Sequence, residues 1–137
     1  MLQFNINFAR SELDKLSPSS SSKINLPFLG VELINLSADK LINSTPKNGK
    51  LILLDEEGDN LSSSDLAKLI LNWSNNNITS VNFAIGGAFG NGLKIKKTAD
   101  KIIAFGKLTW PHQMVKMMIA EQIYRIETII QGHPYHK

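Results

Sequence analysis

Cysteine is absent from the 137 residues. Disulfide staples and thiolate metal ligands are thereby excluded, and a chain of this size must hold itself together through a buried apolar core. The absence fits a reducing compartment. Long apolar runs are missing too: stretches such as LILL at 51–54 fall far short of the roughly 20 residues an apolar helix needs to cross a bilayer. No cationic start with an apolar stretch and small-residue cleavage site is visible, so the cytoplasm is the expected compartment. Several enzyme signatures are also lacking. A catalytic zinc site asks for three protein ligands, and with no HExxH or comparable cluster a zinc enzyme is disfavoured. Neither a GxSxG elbow nor a cysteine nucleophile is present.

What is present is an ordinary globular composition, 42% hydrophobic and 20% charged, which fits one domain over residues 1–137. The net charge of +3 is unevenly spread. Residues 94–137 hold eight basic against three acidic side chains, +5, whereas residues 1–93 hold seven against nine, −2. A polyanion such as RNA would be drawn to the cationic third, although lysines on a solvated helix face account for the same count.

The pattern of apolar residues alternates between periods of two and 3.6. LQFNINF opens the chain as a half-buried strand, a short helix follows over residues 9–16, and the Ser-rich SPSSSS at 17–22 reads as a connector. Further strands are expected in VELINL (31–36), KLILLD (50–55), SVNFAI (80–85) and KIIAF (101–105). In SSSDLAKLILNWSNNN, serines are placed to cap a helix whose Leu66, Leu69, Ile70 and Trp73 form a buried stripe. LKIKKTAD reads as a short basic helix, and residues 113–130 as a long one with Val115, Met118, Ile119, Ile123, Ile126 and Ile130 on one side. Alternating strands and helices imply an α/β domain: a mostly parallel sheet with helices on both faces. Ligands of such sheets bind beyond the carboxyl ends of the strands, which singles out the loops after Leu54, Ile85 and Phe105.

Those loops carry the informative motifs. In GGAFGNG, Gly86, Gly87 and Gly90 suit a backbone that must approach a ligand closely, while the GK[ST] ending of a phosphate-binding loop and the GxGxxG spacing of a dinucleotide fold are both missing. In GKLTWPH, Pro111 is suited to the first turn of the long helix, with free amides beside it. His112 reads as structural, and the stripe Met114, Met117 and Met118 as core or dimer packing. The segment HPYHK gathers two of the three histidines around Tyr135, where a frayed end would be the ordinary expectation.

The strand ending in IGGxxG, the loop LTxPH, the helix with EQxYR and the closing YHK occur in an order and spacing that resembles the RlmH family of SPOUT-class methyltransferases. The resemblance runs over about residues 50–137 and includes LLDEEGDNLSSSDLAKLI; residues 1–49 have shorter connections than the family pattern. It implies a sheet whose C-terminal part is threaded into a deep trefoil knot, something no sequence rule would supply. It also implies S-adenosyl-L-methionine as cofactor, held by Leu54, Gly87, Gly106, Lys107, Leu108, Thr109, Trp110 and Pro111. The implied partners are a second copy of the chain, whose C-terminal residues complete the active site, and 23S rRNA in the large ribosomal subunit or the assembled ribosome. The implied reaction is methyl transfer to N3 of a pseudouridine.

Such chemistry asks chiefly for alignment and exclusion of water, plus help in removing the N3 proton. The candidates are Arg125, His133, Tyr135 and His136. Either histidine is able to accept the proton, Tyr135 to stack on or hydrogen-bond the base, and Arg125 to grip a phosphate or a developing oxyanion. Leu108 and Trp110 would wall an adenine, and Pro134 would stiffen the segment. Two rivals remain: a catalytically inactive RNA- or ribosome-binding relative, and a SPOUT enzyme with a different RNA target.

Overall fold

A computed structural model of the chain describes residues 3–9, 31–36, 43, 45, 47–85 and 93–136, the first two stretches by their backbone only. Among these residues one parallel sheet contains β1 (Gln3–Ala9), β2 (Val31–Leu36), β3 (Gly49–Asp59), β4 (Ser80–Ile85) and β5 (Lys101–Ile103), in the spatial order β2-β1-β4-β3-β5. The helices α1 (Ser63–Asn75), α2 (Leu93–Thr98) and α3 (His112–Ile130) connect and follow the later strands. Ala9, expected to open a helix over 9–16, is instead the last residue of β1; the rest of that helix, the SPSSSS connector and the GGAFGNG loop lie outside the described residues.

Every residue of β4 is buried, as are Leu51, Ile52, Leu53 and Leu54 of β3, because both strands are covered on two faces. The register pairs Ile52 with Phe83 and Leu54 with both Ile85 and Ile103, so alternate side chains feed two cores. One core joins Ile52, Leu54, Phe83, Ile85 and Ile103 to Leu66 and Ile70 of α1 and to Ile119, Ile123 and Ile126 of α3. The other joins Leu51, Leu53 and Ala84 to Ile95 of α2. Burying each such large side chain contributes on the order of 1.5–3 kcal/mol. The layering is the α/β arrangement the sequence implies, with helices on both faces.

The Ser62 hydroxyl caps α1 by accepting the Asp65 amide at 3.1 Å. Leu66 and Ile70 of its expected stripe are buried, with Leu69 and Trp73 half-buried at the edge. On α3, Val115 and Met118 are half-buried and Ile130 is exposed, so the stripe is narrower than its sequence suggests.

Three boundaries differ from the sequence reading. β3 continues through Asp59 instead of ending at residue 55, because after a register shift Asp59 pairs again with Ile103. β5 ends at Ile103, two residues early. The long helix starts at His112, and Pro111 is its N-cap rather than a first-turn residue: its carbonyl accepts the amides of Met114 (3.0 Å) and Val115 (3.1 Å). Met114 and Met117 are exposed, so they are not core.

Ion pairs tie the 96–101 segment to β3. Lys96 Nζ lies 3.0 Å from Glu57 and 3.5 Å from Asp55, and Lys101 Nζ lies 2.7 Å from Asp59. The hydrogen bond to Glu57, opposed by partial desolvation and aided by Asp55, raises the Lys96 pKa. The Asp100 carboxylate accepts the Leu51 amide at 2.8 Å.

Candidate active site

Because the strands are parallel, the segments after β3, β4 and β5 leave the same edge of the sheet. Two of them meet. The Gly106 amide donates to Asn60 Oδ1 (2.8 Å), the Thr109 hydroxyl donates to Glu56 Oε2 (3.1 Å), and the Ala104 amide donates to the Asp59 carbonyl (3.0 Å). The segment after β4, with Gly87, lies outside the described residues. Between the two that meet is a cleft of 260 Å³ lined by residues 60–63, Ile103 to Gly106, Leu66 and Gln122.

The β5–α3 loop is fixed from within. The Trp110 indole N–H donates to the Phe105 carbonyl at 2.9 Å, which spends its one donor and holds the ring half-buried. Lys107 and Pro111 are exposed, and Leu108 is 70% exposed, an apolar side chain with no covering layer in the single chain. Leu54 is only 7% exposed and its side chain belongs to the core, so it is not among the residues that line the cleft.

The second half of the site is built on α3. At its end Gly132 takes φ +71°, its amide donates to the Ile129 carbonyl (3.2 Å) and the His133 amide to the Thr128 carbonyl (2.8 Å). This is the Schellman pattern, and it turns the chain back along the helix. Nothing lies within 4 Å of a Cβ built at Gly132, so Gly132→Ala should cost only the left-handed backbone penalty, about 1–2 kcal/mol. Urea unfolding checks this, and Gly132→Asn should lose less.

The returning segment lands on Arg125 and Glu121, one turn apart. Glu121 Oε1 accepts from Arg125 Nη2 (2.6 Å), from Arg125 Nε (3.0 Å) and from the Tyr135 hydroxyl (3.2 Å). The Tyr135 ring lies 5.0 Å from the guanidinium carbon and packs edge-on against Tyr124 at 4.8 Å. Arg125 Nη1 is 3.1 Å from His136 Nδ1, and the Tyr135 amide donates to His133 Nδ1 at 3.3 Å. The hydrogen bonds to Glu121 raise the Arg125 pKa further, so its charge is permanent. Two residues on, burial pushes the Glu127 carboxyl up.

Arg125, Tyr135 and His136 are therefore brought together within one chain, and His133 faces the Tyr135 amide beside them. Gln122 connects them to the cleft, donating to Glu121 Oε2 (3.0 Å) and accepting the Ser63 hydroxyl (2.7 Å). It also borders a second, apolar cleft of 420 Å³ between Phe105 and the exposed methionines.

A family model described as a predicted SPOUT methyltransferase matches residues 8–136. The chain belongs to the SPOUT methyltransferase family. Two proteins named ribosomal RNA large subunit methyltransferase H are similar to it: that of Rhodospirillum centenum is 43% identical over 108 residues, 79% of this chain and 71% of the relative. That of Paramagnetospirillum magneticum is 38% identical over 111 residues, 81% of this chain and 73% of the relative. A protein of the same name from Sphingopyxis alaskensis is 48% identical over 88 residues, 64% of this chain and 62% of the relative.

Sequence reasoning about this SPOUT chain missed Glu121, Gln122, Asn60 and Glu56. For Glu121 a signal existed: an acid four residues before Arg125 faces it on a helix. Asn60 and Glu56 carried none, since Glu56 lies in the extension of β3 and Asn60 directly after it, a stretch that the polar run EEGDN disguised as a loop.

Proposed function

We propose that this SPOUT protein is an S-adenosyl-L-methionine-dependent methyltransferase that methylates N3 of a pseudouridine in 23S rRNA of the large ribosomal subunit or assembled ribosome. The observation that carries this reading is the joining of the cleft beside the β5–α3 loop to the Arg125–Tyr135–His136 cluster through Gln122. The cleft fits an adenosyl group by its chemistry: apolar Ile103 and Phe105 stand beside polar Asn60, Ser63 and Gln122. Of the residues expected to hold it, Gly106 lines this cleft; Lys107 to Pro111 continue the same loop, and Leu54 and Gly87 are its further proposed contacts. The cofactor supplies a methyl group already activated on a sulfonium. The chain's own residues then orient the base and exclude water: Tyr135 presents its ring and Arg125 its charge.

In this reading residues 1–137 form one SPOUT domain with a shortened N-terminal part, the C-terminal portion threads the trefoil knot, and the reaction takes place in the cytoplasm, where ribosomes are. Two copies pair through α3. Leu108, Met114 and Met117 support this, being 70%, 47% and 75% exposed beside the apolar cleft.

Calorimetry with S-adenosyl-L-methionine, followed by mass spectrometry of rRNA from a deletion strain, tests the proposal. Absent cofactor binding would favour an inactive RNA-binding protein, and an unchanged methylpseudouridine signal a different RNA target. Gly87→Val is expected to block cofactor binding, whereas Tyr135→Ala should leave it largely intact and remove turnover. Equal loss of binding in both would contradict this division.

A further inference from the structure

We infer that His136 serves the reaction as a hydrogen-bond donor through Nε2–H and not as the base that removes the substrate's proton. The inference rests on the methyltransferase reading above and settles a role that the residue types leave open. A guanidinium has five N–H donors and no acceptor. Its 3.1 Å contact with His136 Nδ1 is therefore a hydrogen bond only if Nδ1 offers its lone pair. In a neutral imidazole the one proton then sits on Nε2. His133 has the same orientation, because its Nδ1 faces the Tyr135 amide, also an obligate donor, at 3.3 Å. Neither ring in this arrangement turns a lone pair away from the protein. A proton added at Nδ1 of His136 would set N–H against N–H and release the contact with Arg125, whose guanidinium Glu121 holds by two hydrogen bonds.

The imide of a pseudouridine has a carbonyl on each side of N3, and the negative charge left when N3 ionises resides largely on those oxygens. A fixed Nε2–H stabilises that anion by donating to one of them. The N3 proton is released to bulk water before the base is enclosed, the transferred methyl takes its place, and the bonding pair of the broken carbon–sulfur bond stays on sulfur, so atoms and charge balance. His136 is half-buried and is held by a charged partner, whereas His133 is exposed, which is why the role falls to His136.

Nitrogen-15 spectra of the full-length labelled protein read the tautomer without any turnover. The expected result is a pyrrole-type shift at Nε2 and a pyridine-type shift at Nδ1 of His136; the opposite tautomer overturns the assignment. The kinetic arm compares His136→Ala with His136→Gln, whose amide keeps a donor near the Nε2 position. Loss of one fixed donor predicts a fall in kcat of about 10²-fold or more for alanine. Glutamine should recover most of that, with cofactor affinity unchanged in both. A glutamine variant as inactive as the alanine one overturns the donor role. An unmodified protein that binds cofactor and never methylates pseudouridine overturns the underlying reading instead.

Discussion

Glu121→Ala should lower turnover by about 10²-fold while leaving cofactor binding and folding nearly as they were. The reasoning starts from one oxygen. Glu121 Oε1 accepts three hydrogen bonds, two from Arg125 and one from the Tyr135 hydroxyl, and Oε2 takes a fourth from Gln122. Removing the carboxylate frees the guanidinium to swing on its stem, deprives the Tyr135 hydroxyl of its acceptor, and undoes the platform on which His136 rests. Each of these groups is useful only if it is already in place when charge develops on the substrate. Stability should change little, because Glu121 and Arg125 are partly exposed and a solvent-facing pair on a helix contributes modestly to folding.

Glu121→Gln separates geometry from charge. The amide oxygen still accepts from Arg125, so the side chain stays oriented, but the negative charge that fixes the guanidinium is gone. Turnover between those of the parent and the alanine variant is expected, with the same thermal midpoint in all three. A loss of turnover that tracks a loss of thermal stability would mean that Glu121 acts only by holding α3 together.

The difference between what could and could not be read from the sequence has a physical origin. Strands β2 and β4 and helix α1 were legible because their apolar residues follow one period and their ends carry capping or turn residues. The Arg125–Tyr135–His136 cluster was half legible. Residue types and motif order named its members, but the contact depends on the left-handed turn at Gly132, which sequence shows only as a glycine after a helix. The extension of β3 was illegible. Its residues 56, 57 and 59 are acidic and exposed, which is what a loop looks like, and only pairing across a bulge makes them a strand. The exposed methionines were ambiguous for a related reason: an apolar stripe reads identically whether its cover is the same chain or another.

The second large effect is expected at Gly58. A Cβ built on it would lie 2.7 Å from both the backbone carbonyl carbon and the nitrogen of Ile103, and 2.8 Å from the carbonyl carbon of Ile102. Backbone cannot rotate aside as a side chain can, so Gly58→Ala must push β5 away from β3 or straighten the bulge. Among the described residues β5 is an edge strand of three residues, paired with β3 alone, and is the part that will move. Ile103 is buried in the core beneath α1 and α3, so its displacement should cost about 2–3 kcal/mol, measurable as an earlier urea midpoint with an unchanged slope. The same shift carries Ala104, Phe105 and Gly106 with it and pulls the Gly106 amide from Asn60 Oδ1. Cofactor affinity should therefore fall with stability in Gly58→Ala, in contrast to Glu121→Ala, where turnover falls and both of the others hold. An alanine variant with parental stability and affinity would show that the bulge in β3 yields freely, and that the loop after β5 takes its position from the start of α3 rather than from the strand beneath it.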